Sequence, residues 1–236
     1  MKKYYLTITL AFLTNSLLAS IIYVNKNATG SNNGSSWQNA YTDLQLGIAQ
    51  SMFGDEIWVA AAVYKPTTGT STLITFSVKN GTKLYGGFNG TETLLSQRNF
   101  DLNATILSGE IGAGTSNDNS KTILYFNGVA NQTRVDGFTV TAAYNSNDYG
   151  GGAKSIDSSP TIANCKFNGN YSTSGGGAIN HSGSGILTLD SCVFDGNVAN
   201  TYGGGALRLY AGSVNITNCY FKSNQSNTYG GAIFFY

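Results

Sequence analysis

Cys165, Cys192 and Cys219 stand 27 residues apart, and each opens the same phrase: CKFNGN, CVFDGN and CYFKSN. The period is not confined to cysteine. Val135, Ile162, Leu189 and Ile216 keep it, as do Val140, Phe167, Phe194 and Phe221, while Asn170, Asn197 and Asn224 form a further column. A fourth coil is therefore expected, with Phe138 in the place of cysteine. A fixed period of this length marks a chain of stacked small units, each of which buries its apolar face only against its neighbours.

Inside one unit, two short runs alternate apolar and polar, as in Val214/Ile216 and then Cys219/Phe221. Period two is the signature of a strand with one buried face. Between the runs the parity slips by one, so the backbone must bend there to keep both facing inward. Gly137, Asn164, Ser191 and Asn218 occupy that position, and Gly and Asn tolerate the positive φ of a sharp corner. The column Asn170/Asn197/Asn224 marks a second corner. A third, more variable turn leads into the glycine phrases YGGGA (149–153), SGGGA (174–178), YGGGA (202–206) and YGGA (229–232). Three strands and three corners in about 27 residues predict one turn of a right-handed parallel β-helix, an all-β solenoid in which like residues stack about 4.8 Å apart. A leucine-rich repeat would need L-x-x-L-x-L and a helical stretch in each unit.

Upstream, apolar pieces at 57–63, 73–78, 83–88, 104–108 and 123–126 predict two or three less regular coils. Between Asn39 and Met52 the apolar spacing changes: Tyr41, Leu44, Ile48 and Met52 recur at three or four residues. That predicts an amphipathic helix over 39–53, laid as a cap on the open end of the solenoid. The first twenty residues carry Lys2-Lys3, an apolar stretch from Tyr4 to Leu13 and then small and polar residues, the pattern of a cleaved secretory signal. The domain reading is thus a signal peptide at 1–20 and one β-helix over 21–236, most regular over 130–236. Because GGAIFFY stops within a predicted strand, the chain is expected to be cut from a longer one.

Charged residues are only 11% of the chain and the formal net charge is +1, so no basic field steers it onto nucleic acid. With 41% hydrophobic and 12% aromatic residues it has the apolar material to fold. No later segment is long and apolar enough to span a bilayer, so the mature fragment is read without a transmembrane segment.

The stretch from Tyr23 through the phrase GDEIWVAAAVYKPT resembles the start of secreted bacterial β-helix proteins of the pectin-lyase-like superfamily. The GGGAI and F-x-x-N phrases resemble the repeats of polymorphic outer-membrane proteins and autotransporter-like adhesins. The resemblance implies an exported protein, secreted or held at the bacterial surface or outer membrane. It also brings two activities into view, adhesin-like binding and polysaccharide cleavage.

The candidate chemistry is sparse. Stacked in one interior column, the three cysteines act as small buried hydrophobes, and a disulfide between coils is disfavoured by the in-register geometry. A single His in the chain supplies no zinc set with them. Asp136 and Asp190 share a column with Ala163 between them, some two coils apart, so with Asp148, Asp157 and Asp195 they are read as solvated turn or strand acids rather than a catalytic dyad. His181 has no acid placed beside it by spacing. The glycine phrases lack the G-K-S/T of a phosphate loop. No catalytic, metal-binding or cofactor-binding residue is therefore assigned. Tyr149, Tyr202 and Tyr229 precede three of the four glycine phrases, and an exposed row of Tyr could stack on sugar rings or contact a host or cell-surface protein. The expectation is a non-catalytic, adhesin-like surface scaffold; the alternative is a carbohydrate-active enzyme whose cleft is built by the loops 65–72 and 112–120 or by further coils missing from this fragment.

Overall fold

The computed structural model describes residues 19–236. The signal peptide read at 1–20 lies outside the described residues except for its last two positions. The chain winds as an all-β parallel solenoid whose strands lie, among those residues, in sheets of seven, six, six and four strands. The longest sheet runs from Ile21–Val24 through Glu56–Ala60, Lys83–Phe88, Arg134–Asp136, Thr161–Ala163 and Ile186–Asp190 to Ser213–Thr217. Every paired strand is parallel, and the 27-residue columns are the register itself: Val135 pairs with Ile162, Ile162 with Leu189 and Leu189 with Ile216.

Inward-facing columns fill the core. Phe167 stacks on Phe194 at 5.3 Å and Phe194 on Phe221 at 4.7 Å, with planes 13° and 7° from parallel. The parity slip is a left-handed corner in each of the four regular coils, with φ of 82° at Gly137, 49° at Asn164, 54° at Ser191 and 53° at Asn218. The second corner carries a ladder in which Asn170 Nδ2 donates to Asn197 Oδ1 and Asn197 Nδ2 to Asn224 Oδ1. At the third corner the period slips: Ala153 pairs with Ile179, Ile179 with Leu207 and Leu207 with Ile233. The glycine turns absorb a residue more or less there without disturbing the other three sheets.

Upstream coils keep the register but carry insertions. Lys83 pairs with Arg134 rather than with a residue 27 further on, because that coil throws out a long loop over 89–103 and a second over 109–122. The first loop lies over the outer face of the longest sheet, where Trp58, Tyr85 and Phe88 form a second apolar cluster with Trp37 and Leu95. Trp37 Nε1 donates to Glu92 O at 2.8 Å to tie two loops together.

The helix is shorter than the 39–53 stretch read from spacing. It spans Leu44–Gln50, starts at Asp43, whose side chain accepts the Gln45 N–H, and ends at Ser51. Tyr41 lies outside it because its backbone is extended, donating to Tyr23 O and accepting from Asn25 N. Met52 is exposed. Leu44, Gly47 and Ile48 form the buried face, against Val24 and Ile57.

Candidate functional site

On the outer face of the sheet Ala153–Ile156, Ile179–Ser182, Leu207–Tyr210 and Ile233–Phe235, alternation turns every second side chain away from the core. The register aligns Lys154, Asn180, Arg208 and Phe234 in one outward column, with Ile156, Ser182 and Tyr210 in the next. The glycine turns lie beside these columns and bring Asp148, Tyr149 and Tyr202 alongside.

Arg208 is the centre of the arrangement. Its guanidinium lies 4.4 Å from the Tyr149 ring centre and 4.9 Å from that of Tyr210, close enough for both rings to attract the cation. Nη1 donates to Asn180 Oδ1 at 3.0 Å, while Nε is buried with no partner among the described residues. Burial lowers its pKa from the ordinary arginine value, but guanidinium stays charged at any physiological pH. Lys154 reaches Asp148 Oδ2 at 2.6 Å. Tyr210 packs against Tyr236 at 4.8 Å, and Tyr149 lies 6.2 Å from Tyr202.

These residues line a groove of about 530 Å³. Asp148 and Lys154 also border a second hollow of about 550 Å³ that continues past Asn147, Lys121 and Tyr125 to Thr75 and Leu73. The two adjoin at the Asp148–Lys154 pair and are taken together as the trough of this face. Lys121, Lys154 and Arg208 face Asp148 within it, so its local charge is positive although the chain is nearly neutral.

Of the tyrosine row, Tyr149 and Tyr202 meet at the groove and Tyr229 stands outside it. Tyr149 is half-buried against Arg208 and Tyr202 is exposed at the groove edge, whereas Tyr229 stacks on Phe234 at 5.5 Å and does not line the groove. Arg208 was not singled out from the sequence. The signal was there, a cation in the outward column next to a Tyr-Gly turn, but its partners come from two other coils.

Asp136 is buried rather than solvated, held by Arg98 Nη2 at 2.6 Å and Arg134 Nη2 at 2.7 Å, with Asn164 Nδ2 donating at 2.9 Å. Arg98 comes from the 89–103 loop, too far in sequence for spacing to reveal the pair. Asp157 Oδ1 accepts from Ser184 in a turn, and Asp190 and Asp195 are partly exposed on strands. His181 lies within Ile179–Ser182 and points into the core, where Nδ1 meets Ser155 Oγ at 2.9 Å. Of the loops 65–72 and 112–120, only the first borders a separate hollow of about 370 Å³, lined among others by Lys26, Asp43, Lys65 and Ile111. Its carboxylate, Asp43, caps the helix. Cys165 and Cys192 are buried and Cys219 half-buried, all three as free thiols.

Among the described residues no helix is long and apolar enough to cross a membrane. No known protein family matches the chain, and no curated protein matches it. Among solved structures the chain is similar to a rhamnogalacturonan lyase, at 11% identity and a TM-score of 0.37 over 92% of this chain; the chain spans 60% of that protein's length. A likeness of that grade transfers neither site nor activity.

Proposed function

We propose that the protein is an exported, cell-surface or secreted β-solenoid that binds an extended carbohydrate along the trough of its tyrosine-bearing face, without cleaving it. The observation that carries this reading is the Arg208 cluster. Tyr149, Tyr202, Tyr210 and Tyr236 offer flat apolar faces with hydroxyls, which suits sugar rings, and the Arg208 guanidinium sets a positive charge among them. Two adjoining hollows of about 530 and 550 Å³ suit a polymer more than a monosaccharide. Surface display by a stiff rod, with outward residues free to vary while inward ones stay fixed, fits the same reading.

The second reading, polysaccharide cleavage, is favoured by the same cations and tyrosines. Hydrolysis through two carboxyl groups across the scissile bond is poorly served, because among the described residues Asp148 is the one carboxylate lining the groove and it is committed to Lys154.

Affinity electrophoresis through gels containing neutral or uronate-rich polysaccharides tests both readings, with product formation followed in the same samples. Retardation of the wild-type chain, weakened about two- to tenfold by Tyr202→Ala and unaffected by Tyr229→Ala, is expected from the loss of one aromatic contact. Retardation that ignores Tyr202 would refute the site. Chain shortening of the polysaccharide would replace binding by cleavage.

A further inference from the structure

A hollow of about 580 Å³ opens between the 25–40 loop and the start of the 89–103 loop. Asn25, Asn27, Thr29, Trp37, Gln38 and Thr91 are among its lining residues, and it shares none with the trough. Among the described residues no ionisable side chain lines it. The charged groups next to it in sequence are engaged elsewhere. Lys26 Nζ donates to Val63 O at 3.1 Å, and the Glu92 carboxylate accepts the backbone N–H groups of Asn89, Gly90 and Thr91 at 2.8–3.1 Å.

The walls are held from behind. Trp37 Nε1 is tied to Glu92 O at 2.8 Å, and the indole packs against Tyr23 at 4.8 Å and Phe88 at 5.4 Å, which fixes a half-buried ring at the edge of the hollow. Asn25 Oδ1 accepts the Asn27 N–H at 3.0 Å, and Asn25 Nδ2 stands beside Gly90, where an added Cβ would lie 3.1 Å from it. Gly30 N–H donates to Gln38 O at 3.0 Å across the loop. The side chains of Asn27, Thr29 and Gln38 are exposed and make no hydrogen bond among the described residues. Each carboxamide offers both donors and an acceptor, and each hydroxyl serves as either.

We propose that this hollow is a second binding site, for a neutral sugar unit. An aromatic ring surrounded by uncharged amides and hydroxyls matches a ligand that has apolar C–H faces and hydroxyls at its edge. With no cation in the lining, a carboxylate or phosphate would lose its hydration without a counter-charge. The volume lies within the range of small-molecule sites. The site stands apart from the trough, whose lining carries Arg208 and Lys154, and does not depend on it.

Tryptophan fluorescence reads the site directly, because the chain has two tryptophans and Trp58 is buried, with Nε1 on Glu56 Oε2 at 3.1 Å. The folded chain is titrated with glucose, galactose and mannose, with linear trisaccharides of each, and with galacturonate as the charged control. A saturable emission change with at least one neutral sugar is expected, and galacturonate should bind at least about tenfold more weakly because its carboxylate finds no cation. Asn27→Ala and Gln38→Ala, both at exposed positions, should each weaken binding about two- to tenfold, the worth of one hydrogen bond, while Tyr202→Ala leaves it unchanged. Saturation by a hexose marks a monosaccharide pocket and saturation by trisaccharides alone a chain-binding one; either upholds the site. No response to any neutral sugar, an equal response to galacturonate, or a response that ignores both Asn27 and Gln38 would overturn it. If a variant fails to fold, saturation-transfer NMR on the sugar protons with the wild-type chain decides the case.

Discussion

Asn170 and Asn197 are locked in a two-point contact: Asn197 Oδ1 accepts both the backbone N–H of Asn170 at 3.1 Å and its Nδ2 at 3.0 Å. Asn197 Nδ2 meanwhile donates to Phe167 O at 2.9 Å. One buried amide thus satisfies backbone groups of the neighbouring coil that the corner withdraws from the strand ladder. Asn197→Ala orphans at least two of them, at about 1–3 kcal/mol each, so a loss of about 3 kcal/mol is expected in urea unfolding. Asn200, whose carbonyl takes Asn227 Nδ2 at the surface, is the control. Its alanine variant should stay within about 0.5 kcal/mol of wild type, and equal costs at the two sites would refute the ladder's role.

Asp136 is the carboxylate on which the 89–103 loop hangs. Arg98 binds it and also donates Nη1 to Gly86 O and Asp136 O. Asp136→Asn keeps the shape but leaves the Arg98 guanidinium buried without its counter-charge. Breaking such a pair from one side costs about 3 kcal/mol or more. The Arg134 side chain, nearly one-third exposed, adds little to that figure. Hydrogen exchange in 89–103 should rise together with the fall in stability; a stability loss without faster exchange in the loop would show that Arg98 does not anchor it.

What the sequence made legible divides along the same line. Inward and corner residues recur because each coil solves the same packing problem, so the phenylalanine and asparagine columns and the corner positions Gly137, Asn164, Ser191 and Asn218 could be read from period and parity alone. The helix was overextended because the apolar spacing of Tyr41 and Met52 imitates a helical face, while the backbone of Tyr41 is taken by Tyr23 and Asn25. Outward residues obey no period. Arg208, Lys154 and Asp148 come together only through the coil register and the slipped third corner, and Arg98 meets Asp136 only through an insertion. The trough and the buried ion pair therefore had no sequence signature of the kind that revealed the fold.

Two glycines separate a steric need from a conformational one. A Cβ on Gly177 would lie 2.5 Å from both Gly205 O and Val198 O, backbone atoms that cannot yield. Gly169 has φ of 62° but nothing within 4 Å of its Cβ position. Gly169→Ala should cost only the left-handed strain, about 1 kcal/mol, whereas Gly177→Ala must push two coils apart and should cost at least about 3 kcal/mol. Thermal melts of the two variants give the comparison, and equal melting points would mean that the glycine phrase serves the turn and not the close stacking of coils.

His181 makes the core sensitive to acid. Its ring is buried, Nδ1 meets Ser155 Oγ at 2.9 Å, and Nε2 has no partner among the described residues. Burial lowers its pKa; a backbone contact at Gly185 and the charge of Asp157 oppose the shift without cancelling it. The folded state therefore binds the proton less readily than the unfolded chain, whose histidine titrates near about 6.5. The stabilising contribution is complete above that pH. It is lost as pH falls through the window between about 6.5 and the lower folded value, with a slope of at most about 1.4 kcal/mol per pH unit for one proton. Melting temperature measured from about pH 7.5 to about pH 5 should decline, and His181→Gln, which cannot take up the proton, should flatten the part of the decline that begins near 6.5. An unchanged slope in that variant would assign the acid sensitivity to the carboxylates, whose protonation falls lower on the scale, and would leave His181 as a neutral filler of the core.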